Sequence, residues 1–151
     1  MKVTILGIGN ILYSDEGFGV RVIEELRKLD LPENVELIEG GTDGAKLLPV
    51  IMQSDYLIIV DAIRADEDTG AIFRIPIEDV RQRPHINTSL HQVGIMEVIG
   101  MANILGSQVK GVIIGIQPKD ISTLRESLSP EIKKRIPNAI ELIMREVYCY
   151  A

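Results

Sequence analysis

The chain has 151 residues, 46% of them apolar and 25% charged, with a formal net charge of −6. One globular domain over 1–151, large enough to bury a core, is expected, and the acidic balance gives no footprint for nucleic acid. Cys149 is the only cysteine, which excludes an internal disulfide or a thiolate metal cluster within one chain. No apolar run reaches the ~18 residues of a membrane span, and Met1 leads straight into an apolar strand without a signal-peptide pattern, so a cytoplasmic protein is expected.

Residues 2–6 read as a short buried strand, and the apolar rhythm of Phe18, Val22, Ile23 and Leu26 reads as a helix. Between them lie Gly7-Ile8-Gly9-Asn10 and Asp15-Glu16-Gly17-Phe18-Gly19. The stretch begins like a nucleotide-binding glycine loop. A strand-to-helix turn normally offers N–H groups and a positive dipole end to an anion; here Asp15 and Glu16 occupy the anion's place. Such a loop suits a metal cation or a proton better than a dinucleotide.

Residues 35–38 form a short strand entering the glycine-rich 40–44, and 45–52 a short helix burying Leu47, Leu48 and Ile51, with Pro49 disturbing its interior. The continuous β-branched run 56–60 predicts a central strand that ends at Asp61. Residues 64–70 are polar and turn-like; 71–75 alternate as a strand, with Pro76 suited to an edge. Residues 82–88, containing Pro84 and His85, read as a loop. Thr88 or Ser89 caps a helix running to about residue 105, with Ile95, Val98, Ile99 and Ala102 inward and His91 on the same face. Residues 111–116 form another buried strand, stopped by Gln117-Pro118. Ser129 as N-cap and Pro130 at the first helical position open a last helix that turns Ile132, Ile136, Ile140, Ile143 and Val147 inward and kinks at Pro137. This alternation predicts an α/β fold: a three-layer sandwich with a mostly parallel twisted sheet of about five strands and helices on both faces.

In such a sheet the ligand crevice lies beyond the carboxyl ends of the strands. Glu16 follows the first strand, Thr42 and Asp43 the second, Asp61 the third and Gln117 the last, while His91 starts a helix at the same edge. Two carboxylates and an imidazole suit a borderline divalent cation such as Ni²⁺ or Zn²⁺. Three protein ligands leave positions open for a substrate carbonyl or water, as metal-assisted hydrolysis requires. Taken singly, each residue has an ordinary structural explanation. Asp61 can cap a neighbouring loop, Asp15 and Glu16 can complement a helix dipole, and His91 can be a hydrogen-bonded surface residue. Their coincidence on one predicted edge is what points to a site. His85 is assigned to structure or rim, and Asp66, Glu67 and Asp68 to a solvated turn.

These residues resemble those of the hydrogenase maturation endopeptidases, which remove a C-terminal peptide from the nickel–iron hydrogenase large subunit after nickel insertion. The matching pieces, besides the two glycine-containing ones above, are Gly40-Gly41-Thr42-Asp43-Gly44, Val60-Asp61-Ala62, Ser89-Leu90-His91-Gln92, Gly115-Ile116-Gln117-Pro118 and Leu128-Ser129-Pro130-Glu131. In order and spacing they span nearly the whole chain. The resemblance implies a catalytic metal site of Glu16, Asp61 and His91, with nickel supplied by the substrate, no other cofactor, and the large-subunit precursor as partner. It also implies that Gly41, Thr42, Asp43 and Gln117 help bind substrate beside the site.

Three rivals stand beside this reading. A dinucleotide-binding module fits Gly7, Gly9 and Glu39, yet Leu12 occupies the third glycine position. A non-catalytic nickel-sensing maturation chaperone would use the same three ligands. A serine hydrolase through Ser89 and His91 lacks the G-x-S-x-G elbow.

Overall fold

The computed structural model describes residues 1–42, 44–82 and 93–150; Asp43, 83–92 and Ala151 lie outside the described residues. Five strands, β1 (Val3–Ile8), β2 (Val35–Gly41), β3 (Tyr56–Ala62), β4 (Ile72–Pro76) and β5 (Gly111–Ile116), form one sheet in the order β2-β1-β3-β5-β4. All neighbours are parallel except β4, which runs antiparallel to β5 at an edge. Pro76 can therefore end an edge strand without breaking a central ladder. The α/β sandwich expected from the alternating pattern is the fold observed.

Helices cover both faces, and strand alternation sorts the core between them. Ile5, Ile58, Val60 and Ile114 pack on one side with Phe18, Val22, Ile23 and Leu26 of α1 (Phe18–Leu26) and Ile143 and Val147 of a C-terminal helix. Leu6, Leu57, Ile59 and Ile113 pack on the other with Ile51 and with Ile95, Val98, Ile99 and Ala102. These belong to α2 (Leu48–Gln53) and α3 (Val93–Ile104). The inward face expected of the 88–105 helix is thus the buried face of α3, while its N-terminal start and His91 fall outside the described residues.

Two expectations are corrected. Pro49 does not disturb a helix interior. A 3-10 turn, Gly44–Leu47, precedes α2, and Pro49 lies in the first turn of α2, where a missing N–H costs nothing. The last helix is not one kinked rod either. α4 (Pro130–Lys133) stops, and α5 (Ile136–Tyr150) starts anew with Pro137 in its first turn. Ile132, Ala139, Ile143 and Val147 are fully buried, whereas Ile136 and Ile140 are only half-buried. Among the described residues no helix is long and apolar enough to cross a membrane.

Candidate active site

The strand order fixes where a crevice opens. From β1 the chain goes to β2 on one side and to β3 on the other, so the sheet has its topological switch point between β1 and β3. Gly7 of β1 is in register with Val60 of β3. Glu16 comes from the connection after β1, and Asp61 is the penultimate residue of β3 rather than the residue following it. The two predicted carboxylates therefore flank the switch point at the carboxyl edge. Both are buried, Glu16 at 6% and Asp61 at 2% exposure.

Glycines allow the elements to close on this point. α1 does not start directly after the glycine loop; a 3-10 turn, Ser14–Gly17, carries Asp15 and Glu16 ahead of it. Gly9 has φ +136°, and a Cβ there would fall inside the carbonyl oxygen of Glu16. The backbone of β1's end and the acidic turn are thus in direct contact. Gly19, in the first turn of α1, lies against the carbonyl oxygens of Val60 and Ile8, which brings the helix onto the sheet backbone beside Asp61. No side chain larger than hydrogen fits there.

Asp61 shares strand parity with Leu57 and Ile59, whose side chains pack towards α2 and α3. One of its oxygens, Oδ1, accepts the Ala62 N–H at 2.8 Å. The start of α3 reaches the same edge: a Cβ at Gly44 would meet the Gly94 carbonyl carbon at 3.0 Å, so α3 begins beside the loop that follows β2. His91 is two residues ahead of Val93 in sequence and lies outside the described residues, as does Asp43. Among the described residues no group of three His, Cys, Asp or Glu is placed to hold a metal ion; the two carboxylates are the described part of the expected set.

Beside the Glu16 turn lies a cleft of about 320 Å³ lined by Gly9, Asn10, Ile11, Val20, Glu39, Gly41 and Thr42. Gly41 ends β2 with φ +57°, and its carbonyl accepts the Gly9 N–H at 3.1 Å. Glu39 pairs with Arg27 at the C-cap of α1, so the acid that a ribose would need is already engaged. With Leu12 45% exposed and an acidic turn ahead of α1, the glycine loop lacks the helix N-terminus that holds a pyrophosphate. Gln117 is used structurally on one side at least: its Oε1 accepts the Ala65 N–H at 2.7 Å, and its backbone joins Gly70 and Ala71.

Asp15 does not complement a helix dipole. It is fully buried, and its carboxylate accepts the N–H groups of Lys119, Asp120 and Ser129 and the Ser129 hydroxyl. The Ser129 side chain is thereby drawn from the N-cap of α4, which has no side-chain cap hydrogen bond. The segment 119–129 is strapped to the acidic turn at several further points. Ser14 and Arg125 exchange N–H to carbonyl and guanidinium to hydroxyl contacts, at 2.7 and 3.0 Å, and the Ser14 hydroxyl donates to the Ser127 carbonyl. Ser14 has φ +52°, a conformation that costs on the order of 1–3 kcal/mol outside glycine; the strap holds it. Within the strap, hydrogen bonds from Thr123 and Ser122 keep the Asp120 carboxyl at about 2.

The sequence from residue 20 to residue 146 matches the family model described as hydrogenase maturation protease. The chain belongs to the hydrogenase maturation protease family. It is a peptide-bond hydrolase of that family, and its relatives agree. It is 33% identical to the hydrogenase 2 maturation protease of Escherichia coli K12 over 147 residues, 95% of this chain and 89% of that protein. It is 39% identical to the hydrogenase expression/formation protein HupD of Thiocapsa roseopersicina over 95% of its own length and 66% of that protein's. The maturating endopeptidase HybD of E. coli superposes with a TM-score of 0.90 at 31% identity, covering 98% of this chain and 93% of that one. The [NiFe] hydrogenase maturation protease HybD of Thermococcus kodakarensis does so with a TM-score of 0.82 at 25% identity, covering 97% and 99%.

Proposed function

We propose that this protein cleaves the C-terminal extension from a nickel–iron hydrogenase large-subunit precursor after nickel has been inserted, and that Glu16, Asp61 and His91 engage the nickel carried by that substrate. The reading is supported above all by two buried carboxylates on the two flanks of the sheet's switch point, in a chain of this family. Oxygen and nitrogen donors match Ni²⁺. A precursor loaded with nickel brings a divalent cation to two anionic groups in a water-poor crevice, where their attraction is far stronger than at an exposed surface. A nickel-free precursor brings no such charge, so docking is selective for the loaded form. When bound, nickel supplies Lewis acidity next to the scissile bond; this chain's own residues orient the loaded end and exclude water. Gly41 and Thr42 flank the peptide in the cleft beside Gly9, with Asp43, next to them in sequence, and Gln117, which braces the loop after β3, also helping to bind substrate. The protein acts in the cytoplasm, as a single catalytic domain.

Incubating the protein with candidate large-subunit precursors, with and without nickel, and measuring intact masses tests this. Loss of a C-terminal peptide from the nickel-loaded precursor alone is the expected result. Cleavage of both forms at one rate refutes nickel-dependent recognition, and cleavage of neither refutes the assignment of substrate.

A further inference from the structure

We infer that Asp15 is a positioning residue for the two crevice carboxylates: it ties the turn carrying Glu16 to the chain leaving β5, and so sets Glu16 relative to Asp61. The inference rests on the site proposed above and assigns a role to the acid next to it.

The bonding of Asp15 is one-sided. Its Oδ2 accepts the Lys119 N–H at 3.0 Å, the Asp120 N–H at 2.9 Å and the Ser129 hydroxyl at 2.9 Å, and its Oδ1 accepts the Ser129 N–H at 2.7 Å. Its own N–H donates to the Asp120 carbonyl at 2.9 Å. A carboxylate has about four lone-pair sites, two on each oxygen; three donors crowd Oδ2 and one engages Oδ1. Asp15 is thus committed to the strap at both oxygens, although it is adjacent in sequence to Glu16. Hydrogen bonds to an ionised acceptor are also roughly twice as strong as neutral ones, so the clamp is stiff.

The clamp connects the two ligands mechanically. Residues 119 and 120 follow β5 after Gln117 and Pro118, and Gly115 of β5 is in register with Asp61 on β3. From Glu16 the path runs through Asp15 to Lys119 and Asp120, along β5 and across one strand pairing to Asp61. The turn does not hold its shape unaided, because Ser14 sits at φ +52° immediately ahead of Asp15 and is pinned by Arg125 and Ser127 of the same strap. Fixing a ligand's partners commonly matters for metal affinity by about 10–100-fold.

The test is calorimetric titration with Ni²⁺ alone, into the millimolar range, on native protein, Glu16→Gln, Asp15→Asn, Ser129→Ala and Ser129→Thr. Each is measured well below its melting temperature and checked for native circular dichroism. Asp15→Asn is expected to weaken Ni²⁺ binding by about 10–100-fold while folded. Ser129→Ala is expected to weaken it less, and Ser129→Thr, which keeps the hydroxyl, to restore it. A purely structural strap moves melting temperatures but not the affinity of folded protein. Native affinity in folded Asp15→Asn or Ser129→Ala overturns the inference. If Asp15→Asn does not fold, the Ser129→Ala and Ser129→Thr pair decides by the same criterion. If native protein and Glu16→Gln titrate alike, the site itself is refuted and the positioning role goes with it.

Discussion

Replacing Gly9 by alanine tests whether close backbone packing at this glycine sets the acidic turn. Two costs arise at Gly9. Its φ of +136° lies where L side chains are rarely found, at on the order of 1–3 kcal/mol. The new Cβ would also overlap the Glu16 carbonyl oxygen, which is backbone and has no rotamer to yield. Relief requires the acidic turn to retreat by about 1.5 Å to restore van der Waals separation. For a domain near this size each kcal/mol lowers the melting temperature by about 2–4 °C, so a fall of ~3–10 °C is expected. A 1 Å misplacement of a reacting constellation costs on the order of 100-fold in rate, and processing of nickel-loaded precursor should fall by that order even where the protein is fully folded. Gly41→Ala is the control for stability alone, because Gly41 also lines the proposed peptide cleft. It shares a positive φ, +57°, but its Cβ would meet nothing within 4 Å. It should lose about 1 kcal/mol and displace no turn. Melting curves and precursor processing at 25 °C, measured side by side, decide the matter. A Gly9→Ala protein that melts within a degree of native and processes at the native rate refutes the close-packing reasoning.

Glu16→Gln keeps the shape and removes an anionic donor; it should fold with near-native melting temperature and fail to process nickel-loaded precursor, as should Asp61→Asn, which carries more risk because Asp61 lies within buried β3. Processing at the native rate by folded Glu16→Gln removes Glu16 from the site. The free protein should hold nickel weakly, since its donors are oxygen and nitrogen with no thiolate; stoichiometric nickel found by elemental analysis after purification in a chelating buffer contradicts this. Tyr56, at the far end of β3, donates to buried Glu146 at 2.9 Å, and Glu146 also pairs with Arg74. Burial, then the hydrogen bond to Glu146, raises the Tyr56 phenol above its usual 10. The neutral phenol is therefore favoured in the fold: its contribution is complete below pH 10 and is lost as pH rises further. Tyr56→Phe should lower stability by about 1–3 kcal/mol at neutral pH, flatten the alkaline decline in melting temperature, and leave processing unchanged.

Periodicity in the sequence was enough for the strands and for the sides on which they are buried. The runs at 56–60 and 111–116 are apolar on both faces because both faces are covered, and that condition is written into each segment alone. The acids after Gly9 likewise stated, from local chemistry, that this loop is unsuited to a phosphate. Residue types could not say which loops meet. That Glu16 and Asp61 flank one crevice follows from the strand order β2-β1-β3-β5-β4, a property of the assembled sheet. The break between α4 and α5 was hidden for a related reason: Ile132, Ile136 and Ile140 keep a helical spacing across it, and only the packing shows that Ala139 takes the inward place. Asp15 looked like a dipole-complementing acid because its neighbours are those of a first helical turn, whereas its hydrogen-bond donors lie 104 to 114 residues further along the chain. Gln117 reaches back 52 residues to Ala65 in the same way. Burial and turn chemistry are local quantities that a sequence carries openly; the partner of a buried polar group is settled only when distant loops are brought to one edge, because the sheet, not the segment, decides which N–H groups arrive there.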